Sequence, residues 1–292
     1  MRLFLTGGTG FVGSYVLAAA LAEGHEVLAL RRSPDRRPVV ALPTEPNWCT
    51  GILSTIKAED LKDVDIVLHL ASSGVSPKQA SLGELIESNI NGTLRLLNES
   101  EKANVRRCVI AGTCHEYGTA AEHYSAIPPN ASLEPVSLYG ASKAAAFQMT
   151  RAFAVEYGIE LFYGRIFSAY GEGQFEKNFW PALRRAALNG DDFKMTKGQQ
   201  ISDFIRVSDV AKHLLEACIR PDIKAYIPHI VNIGSGISSS LLDFARQQWI
   251  LLEAKGKILD GAIPERPNQI KRYVPDLTGL RVCYNLANGE QR

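Results

Sequence analysis

Residues 1–32, MRLFLTGGTGFVGSYVLAAALAEGHEVLALRR, decide the fold of this chain. The apolar residues 2–6 predict a short buried strand, and the Ala/Leu-rich residues 14–23 predict a helix. Gly24 and His25 end that helix, and residues 26–30 predict a second strand. A strand, a glycine turn, a helix and a strand within about thirty residues indicate an α/β unit with parallel strands.

The glycine turn predicts a dinucleotide site. Gly8, Gly10 and Gly13 fit the spacing G-x-G-x-x-G and stand between a strand and a helix, as the pattern requires. The first glycine permits the sharp turn, the second lets a pyrophosphate approach the backbone, and the third lets helix and strand pack closely. Free N–H groups at the helix start would face the anion.

Two arginines follow the second strand where NAD-binding units of this kind usually carry an acidic residue. Arg31 and Arg32 cannot accept a hydrogen bond from a ribose 2′-hydroxyl, but they can bind a 2′-phosphate through charge-assisted hydrogen bonds. We therefore expect NADP(H) to be preferred, with NAD(H) possible. The alternative is a solvated basic loop, since Arg36 and Arg37 continue the run.

Composition excludes several classes of protein. The 292 residues suffice for one large α/β domain with a smaller lobe. The net charge of +1 predicts no nucleic-acid partner and no acidic-membrane partner. No apolar run is long enough for a transmembrane helix, and the chain starts directly in a strand, so we expect a cytoplasmic protein. The five cysteines form no C-x-x-C pair, so reduced thiols and no metal site are expected.

Alternating strands and helices continue to about residue 168. Residues 65–71, 106–111 and 159–167 are predicted strands, while 82–103 and 137–157 are predicted helices. The fold class is therefore α/β, a doubly wound parallel sheet with a smaller C-terminal lobe. The predicted cofactor domain comprises residues 1–168 with a return segment at about 205–234, and the substrate lobe comprises 169–204 and 235–292.

Tyr139, Lys143 and Thr113 are the predicted catalytic residues. Tyr139 and Lys143 are four positions apart at a helix start and share one face, and Thr113 ends a strand at the cofactor edge of the sheet. A phenol with a pKa of about 10 is a poor acid or base at neutral pH, and a neighbouring ammonium would lower that value. Tyr139 would then move the proton as a hydride moves at carbon, while Thr113 donates to the same oxygen.

These motifs together resemble the extended short-chain dehydrogenase/reductase family of nucleotide-sugar epimerases, dehydratases and reductases, which has a Rossmann-type sheet. The resemblance also covers residues 69–71, 198–210, 232–236 and 264–267. It implies a Thr113/Tyr139/Lys143 triad, a nucleotide-sugar substrate and a homodimer built on residues 82–103 and 144–157. The implied cofactor contacts are Gly7, Gly10, Phe11, Val12, Gly13, Arg31, Arg32, Leu53, Leu70, Ala71, Tyr139, Lys143 and Ile166. The implied substrate contacts are Ser73, Thr113, Cys114, His115, Ser168, Asn178, Arg206 and Arg266.

Departures from the family pattern affect the expected reaction. Dehydratases of this family carry a pair of acids directly after the threonine, where this chain has Cys114 and His115. Ser202 replaces a usual arginine, with Arg206 as a possible substitute. We expect an NADPH-dependent reduction of a nucleoside-diphosphate 4-keto-6-deoxyhexose, because that reaction needs one hydride and one proton. A 4-epimerase is the alternative, a 4,6-dehydratase is less favoured, and an NADP-binding scaffold is disfavoured by the intact triad.

Overall fold

A seven-stranded sheet forms the centre of the molecule. The computed structural model describes residues 1–75, 80–265 and 270–281. All neighbouring strands of the sheet run parallel, in the order β10-β6-β5-β4-β1-β2-β3. The strands are β1 (Arg2–Thr6), β2 (Glu26–Arg31), β3 (Asn47–Thr50), β4 (Ile66–His69), β5 (Arg107–Thr113), β6 (Glu160–Ile166) and β10 (His229–Ile233). The direction of winding reverses between β1 and β4, so their carboxyl ends border the crevice where such sheets bind ligands.

Helices cover both faces of this sheet. On one face α1 (Phe11–Ala22) packs against α6 (Val207–Ile219), with Leu17 and Leu214 fully buried between them and the strands. On the other face α3 (Gly92–Lys102) packs against α4 (Leu138–Tyr157). The predicted doubly wound α/β fold is confirmed, because both faces of a fully parallel sheet must be covered by helices.

A second region follows β6 in the chain and contains two smaller sheets. The first contains β9 (Ile201–Arg206), which pairs with β7 (Ser168–Tyr170), β11 (Ser238–Ser240) and β13 (Arg272–Tyr273). The second pairs β8 (Phe193–Lys194) with β12 (Ile258–Leu259). Helices α5 (Phe179–Asn189) and α7 (Leu241–Leu251) enclose a separate apolar core around Leu183 and Trp249, and α8 (Thr278–Arg281) packs against β10.

The structure differs from the predicted elements at three places. Helix α1 begins at Phe11 rather than at residue 14, because Gly10 has extended backbone angles and is the N-cap. The sequence predicts a third strand over residues 48–53, but β3 ends at Thr50 and Leu53 begins a single 3₁₀ turn. The helix predicted over 82–103 is continuous, but α2 (Leu82–Leu85) is joined to α3 by a π-helical turn at Ile86–Asn91. Hydrophobic periodicity does not report a one-residue insertion of this kind.

Candidate functional site

The glycine turn after β1 leaves a cradle of free backbone N–H groups. Gly10 caps α1 without a side chain, and the first N–H groups of any helix have no partner within the helix. A Cβ at Gly13 would collide with the Gly7 carbonyl, so the helix start can lie against the turn only with glycine at residue 13. The uncapped N-terminus of a twelve-residue helix at the crevice is suited to a pyrophosphate.

The glycine that makes the sharp turn is Gly7, which corrects the role expected for Gly8. Gly7 has a φ of +77°, and a Cβ there would lie 2.7 Å from the Ala71 nitrogen. Gly8 has ordinary backbone angles, and a Cβ there would meet only the side chains of Leu5 and Leu17. The two glycines are adjacent in the sequence, and the backbone conformation assigns the turn to Gly7, although Gly8 is the one that fits the G-x-G-x-x-G spacing.

A buried histidine ties the end of β4 to this turn. Thr93 donates its hydroxyl to the Asn89 carbonyl, so it accepts from Nε2–H of His69, while Nδ1 of His69 accepts from the Thr6 hydroxyl. The Thr6 oxygen in turn accepts from the amides of Leu70 and Ala71. Burial, aided by the Lys143 charge, lowers the pKa of His69 to about 3. His69 is therefore a neutral structural link, and it holds two expected cofactor-contact residues beside the glycine turn.

Asn89 fixes the loop that follows β4. Its Oδ1 accepts from the Ser72 hydroxyl at 3.1 Å and from the Ser73 amide at 2.8 Å. Its Nδ2 donates to the Ser73 carbonyl at 3.0 Å and to the Ser142 hydroxyl on α4 at 2.9 Å. The fully buried Asn89 lies in the π-helical turn, a feature frequently found at functional sites. It therefore connects the crevice loop to the helix that carries Tyr139 and Lys143.

The three predicted catalytic residues come together at the carboxyl end of β5. Thr113 is the last residue of β5, and Tyr139 lies in the first turn of α4. The Tyr139 hydroxyl is hydrogen-bonded with the side chains of Thr113 and Ser72. Ser72 was not among the predicted site residues, although its loop was expected at the ligand edge. A hydroxyl on each side of the phenol leaves it placed to exchange a proton with a bound alcohol or ketone.

The pKa of Tyr139 corrects an expectation. Burial raises it above the usual value of 10, and the Glu116 charge adds to the rise, while the hydrogen bonds with Ser72 and Thr113 oppose it. In the protein alone, Lys143 does not lower the pKa of Tyr139 toward neutral pH, because desolvation disfavours the phenolate more strongly. Tyr139 is therefore protonated at neutral pH in this structure.

Lys143 lies one helical turn after Tyr139 on α4. Its side chain is almost fully buried, and burial lowers its pKa although the Glu116 charge opposes the change. An ammonium in this place could donate to the ribose hydroxyls of a dinucleotide, which are acceptors of the required kind.

The two residues after Thr113 carry no carboxyl group. Burial raises the pKa of the Cys114 thiol to about 12, so it is protonated. The His115 ring lies edge-on to two tyrosine rings, 6.1 Å from that of Tyr139 and 5.7 Å from that of Tyr273. Burial lowers the pKa of His115. At neutral pH this side of the site thus offers a thiol and a neutral imidazole.

Arg31 and Arg32 lie at the carboxyl end of β2. The Arg31 guanidinium stacks on the Trp48 ring at 4.6 Å, and its Nε and Nη1 atoms are buried without a partner in the described residues. Arg32 is exposed, and its Nη2 is 3.4 Å from the Ser73 hydroxyl. Both cations therefore border the region next to the end of β2, where the adenosine half of a dinucleotide would lie.

The other predicted contacts are more widely distributed. Leu53 is buried in the core beside Gly92, Ile166 ends β6, and Ser168 begins β7. Asn178 is the N-cap of α5 and makes no side-chain cap bond, and the exposed Arg206 is the N-cap of α6. Arg266 lies outside the described residues. Their binding roles stay predictions.

The loop between β2 and β3 runs beside the glycine turn. The Val39 amide donates to the Ser14 hydroxyl at 3.0 Å, and that hydroxyl itself donates to the carbonyls of Gly8 and Gly10. Val39 also lies against Gly173 from the second region, and Tyr15 donates to the Glu172 carbonyl. The loop thus joins the cofactor turn to the second region, a contact that composition alone did not predict.

Two kinds of feature are absent from the described residues. No group of three or more His, Cys, Asp or Glu side chains in this part of the chain is arranged to hold a metal ion. None of its helices combines the length and the apolar character that a membrane span needs.

Comparison with known proteins gives a consistent picture. The sequence profile of the NAD dependent epimerase/dehydratase family matches residues 3–234. The dTDP-glucose 4,6-dehydratase of Neisseria meningitidis serogroup B is 25% identical, over 93% of this chain and 79% of that protein. The UDP-glucose 4-epimerase of the same bacterium is 26% identical, over 84% of this chain and 80% of that protein. The structure of MoeE5 in complex with UDP-glucose and NAD superposes with a TM-score of 0.82 at 27% identity, covering 97% of this chain and 92% of MoeE5.

Proposed function

Because the chain belongs to the NAD-dependent epimerase/dehydratase family, we propose that it oxidises and re-reduces C4 of a nucleoside-diphosphate hexose, so that the net reaction is 4-epimerisation. One observation carries the proposal. The Thr113, Tyr139 and Lys143 side chains converge at the sheet edge, and no unpaired carboxyl group of the described residues flanks them. This set suits a redox step with one proton and lacks the acid that eliminating water requires.

The residues present fit a dinucleotide. The cradle that a Cβ at Gly13 would fill and the uncapped start of α1 suit the pyrophosphate, and the Lys143 ammonium suits ribose hydroxyls. NAD bound there would supply the hydride acceptor and donor. MoeE5, a structural relative, is described in complex with NAD, which supports the same cofactor here.

The chain's own residues account for the proton. Tyr139 is a phenol in the protein alone, and the positive charge of a bound oxidised nicotinamide would lower its pKa. As a phenolate it would take the proton of the sugar hydroxyl during oxidation, and as the resulting phenol it would return that proton during reduction. Thr113 would donate a hydrogen bond to the same oxygen and so align it. The Lys143 ammonium, nearly fully buried one turn further along α4, would stabilise the phenolate that Tyr139 becomes.

The neutral residues beside Thr113 argue against dehydration. A 4,6-dehydratase must deliver a proton to a departing hydroxyl, and the thiol of Cys114, with its pKa raised to about 12, is a weak acid for that task. The Glu116 carboxylate acts electrostatically on Tyr139, but it is fully buried and paired with Arg165 at 2.6 Å. The similarity to dehydratases of the family therefore supports a common fold and cofactor, but it does not support dehydration as the reaction of this chain.

The test is conversion without added cofactor. We expect protein purified in the absence of nucleotide to release NAD on denaturation and to interconvert UDP-glucose and UDP-galactose with no added NAD(P)H. Chromatography of the released nucleotide and of the sugar products makes both measurements. A protein without bound cofactor that converts a 4-keto-6-deoxyhexose with equal consumption of NADPH would contradict epimerisation.

The second candidate is the NADPH-dependent 4-ketoreductase. The observation that favours it is the pair of cations at the end of β2, with two unpartnered nitrogens on Arg31. A 2′-phosphate could be bound by both guanidinium groups. The same triad would serve, because reduction needs one proton at the same oxygen.

Replacement of Arg31 and Arg32 by Ala distinguishes the cofactors. If the pair binds a 2′-phosphate, we expect the Kd for NADPH to rise by about 10²- to 10⁴-fold, since two charged hydrogen bonds are lost and each is worth roughly 1.5–3 kcal/mol. The Kd for NADH should change by less than about threefold. Fluorescence titration with both nucleotides measures the ratio, and Arg36→Ala/Arg37→Ala is the matched control. Equal weakening of both nucleotides would show that the pair does not bind the 2′-phosphate.

The remaining parts of the proposal concern substrate and assembly. We propose that Asn178 and Arg206 contact the nucleotide sugar and that the substrate lobe comprises residues 169–204 and 235–292, of which 266–269 and 282–292 lie outside the described residues. We also propose a homodimer through α4, which exposes Met149, Val155 and Tyr157. The mass of the purified protein in solution tests the dimer.

A further inference from the structure

A buried ion pair lies directly beneath the catalytic end of β5. Glu116 and Arg165 have side chains that are 0% and 1% exposed, and Arg165 Nε donates to Glu116 Oε2 at 2.6 Å. Two charges that are buried away from water need further hydrogen bonds to offset the cost of their desolvation. The proposed reaction uses neither residue directly, so their presence requires another explanation.

The second oxygen of this carboxylate holds Thr113. Glu116 Oε1 accepts from the Thr113 amide at 2.9 Å and from the Tyr163 hydroxyl at 2.9 Å. The Thr113 hydroxyl accepts from the His115 amide at 3.3 Å, so a reciprocal capping box closes the 3₁₀ turn at Cys114–Glu116. Both the backbone and the side chain of Thr113 are thereby fixed by the turn that Glu116 ends.

The guanidinium extends the same network to the catalytic helix. Arg165 stacks on the Phe147 ring at 4.3 Å, and Phe147 is one turn after Lys143 on α4. Arg165 also donates to the Tyr117 hydroxyl at 3.2 Å and to the Pro129 carbonyl at 2.9 Å. The ion pair therefore contacts both elements whose side chains must meet at the reacting oxygen.

We propose that Glu116 is a positioning residue, whose carboxylate holds Thr113 in the conformation that directs its hydroxyl to the same oxygen as Tyr139. The inference rests on the proposed function of Thr113 and Tyr139. A merely structural ion pair would require only that Arg165 be satisfied. The bond from the Thr113 amide is the additional feature, because it joins the carboxylate to a residue that touches the reacting atoms.

The electrostatics act in a consistent direction. The Glu116 charge opposes the fall in the pKa of Lys143 that burial causes, so it favours the charged ammonium. It also raises the pKa of Tyr139, which favours the phenol. Both effects favour the protonated forms, which are the ammonium that could bind a ribose and the phenol that Tyr139 needs in the reduction half of the reaction.

The test separates stability from positioning. The double variant Glu116→Leu/Arg165→Met removes both buried charges together, so the protein is expected to fold, because apolar residues often replace a buried pair without loss. We expect its kcat to fall by roughly 10- to 100-fold, since small displacements at a reacting centre have effects of this size. KM for the sugar and Kd for the cofactor should stay within about twofold. A folded double variant with the kcat of the wild type would overturn the proposal.

A matched tyrosine pair covers the case in which the double variant does not fold. Tyr163→Phe removes a hydroxyl bound to Glu116, whereas Tyr117→Phe removes an equally buried hydroxyl bound to Arg165 and to Asn232. We expect Tyr163→Phe to lower kcat by about 2- to 10-fold, the effect of one hydrogen bond, and Tyr117→Phe to leave it unchanged. Equal kcat values for the two variants would overturn the proposal.

A measurement without substrate separates this inference from the proposed function. Hydrogen exchange at the Thr113 amide should be faster in Glu116→Leu/Arg165→Met and in Tyr163→Phe than in the wild type. Faster exchange in a protein that converts no nucleotide sugar would leave the holding of Thr113 supported and the proposed function contradicted. Unchanged exchange would overturn the inference whatever the activity.

Discussion

Replacement of Tyr139 by Phe is expected to lower kcat by about 10²–10⁴, the usual contribution of a positioned acid or base. The hydroxyl is the group that meets the Thr113 and Ser72 side chains at the end of β5, and Phe cannot carry a proton. The ring remains, so the fold and the Kd for NAD should change little. Steady-state kinetics of sugar conversion, with NAD binding followed by fluorescence, measures both effects.

The matched control lies on the same helix. Tyr157→Phe removes a hydroxyl from the exposed end of α4, where the ring stacks on Phe153 far from the crevice. We expect wild-type kinetics for that variant. Substantial residual turnover in Tyr139→Phe would assign the proton transfer to another group, of which His115 is the nearest ring.

Replacement of Gly13 by Ala is expected to abolish cofactor retention and to destabilise the fold. The new Cβ would collide with the Gly7 carbonyl and lie 3.1 Å from the Gly8 nitrogen, both of them backbone atoms that cannot move without opening the turn. An overpacked site of this kind costs about 3 kcal/mol, which corresponds to a fall in Tm of roughly 5 °C for a chain of 292 residues. Thermal unfolding and the NAD content of purified protein are the measurements.

Gly83→Ala is the control for that substitution. Gly83 is exposed in α2, and nothing lies within 4 Å of a Cβ placed there. Since Ala is a better helix former than Gly, we expect an unchanged or slightly higher Tm and normal NAD content. A Gly13→Ala protein with normal Tm and bound NAD would show that the turn can relax.

Sequence patterns predicted the sheet well because each pattern is local. The continuous apolar runs of the parallel strands and the glycine-rich turn depend on residues that are neighbours in the chain. The sequence patterns did not predict the π-helical turn at Ile86–Asn91, because an apolar pattern that is interrupted by one residue still resembles that of an α-helix. Gly8 was mistaken for the turn-forming glycine for a related reason, since two adjacent glycines satisfy nearly the same spacing.

The site was predictable only where its residues share a strand end or a helix turn. Tyr139 and Lys143 are one helical turn apart, and Thr113 ends a strand, so their meeting could be expected. Glu116 and Arg165 are 49 positions apart, and nothing in the sequence indicates that they pair. The upward shift of the Tyr139 pKa was missed because burial depends on the whole fold.

The π-helical turn also has a consequence for how the chain can change in length. Each residue of an α-helix rotates the chain by about 100° around the helix axis. One residue fewer between Ser81 and Gly92 would therefore keep a helix but rotate one end of the segment relative to the other. Asn89 would then leave the crevice loop, and Ser72 and Ser73 would lose their common acceptor. The number of residues in this segment therefore determines the rotation of α3 relative to α2 about the helix axis. A single-residue deletion there would alter the geometry around Tyr139 without touching any residue that contacts it.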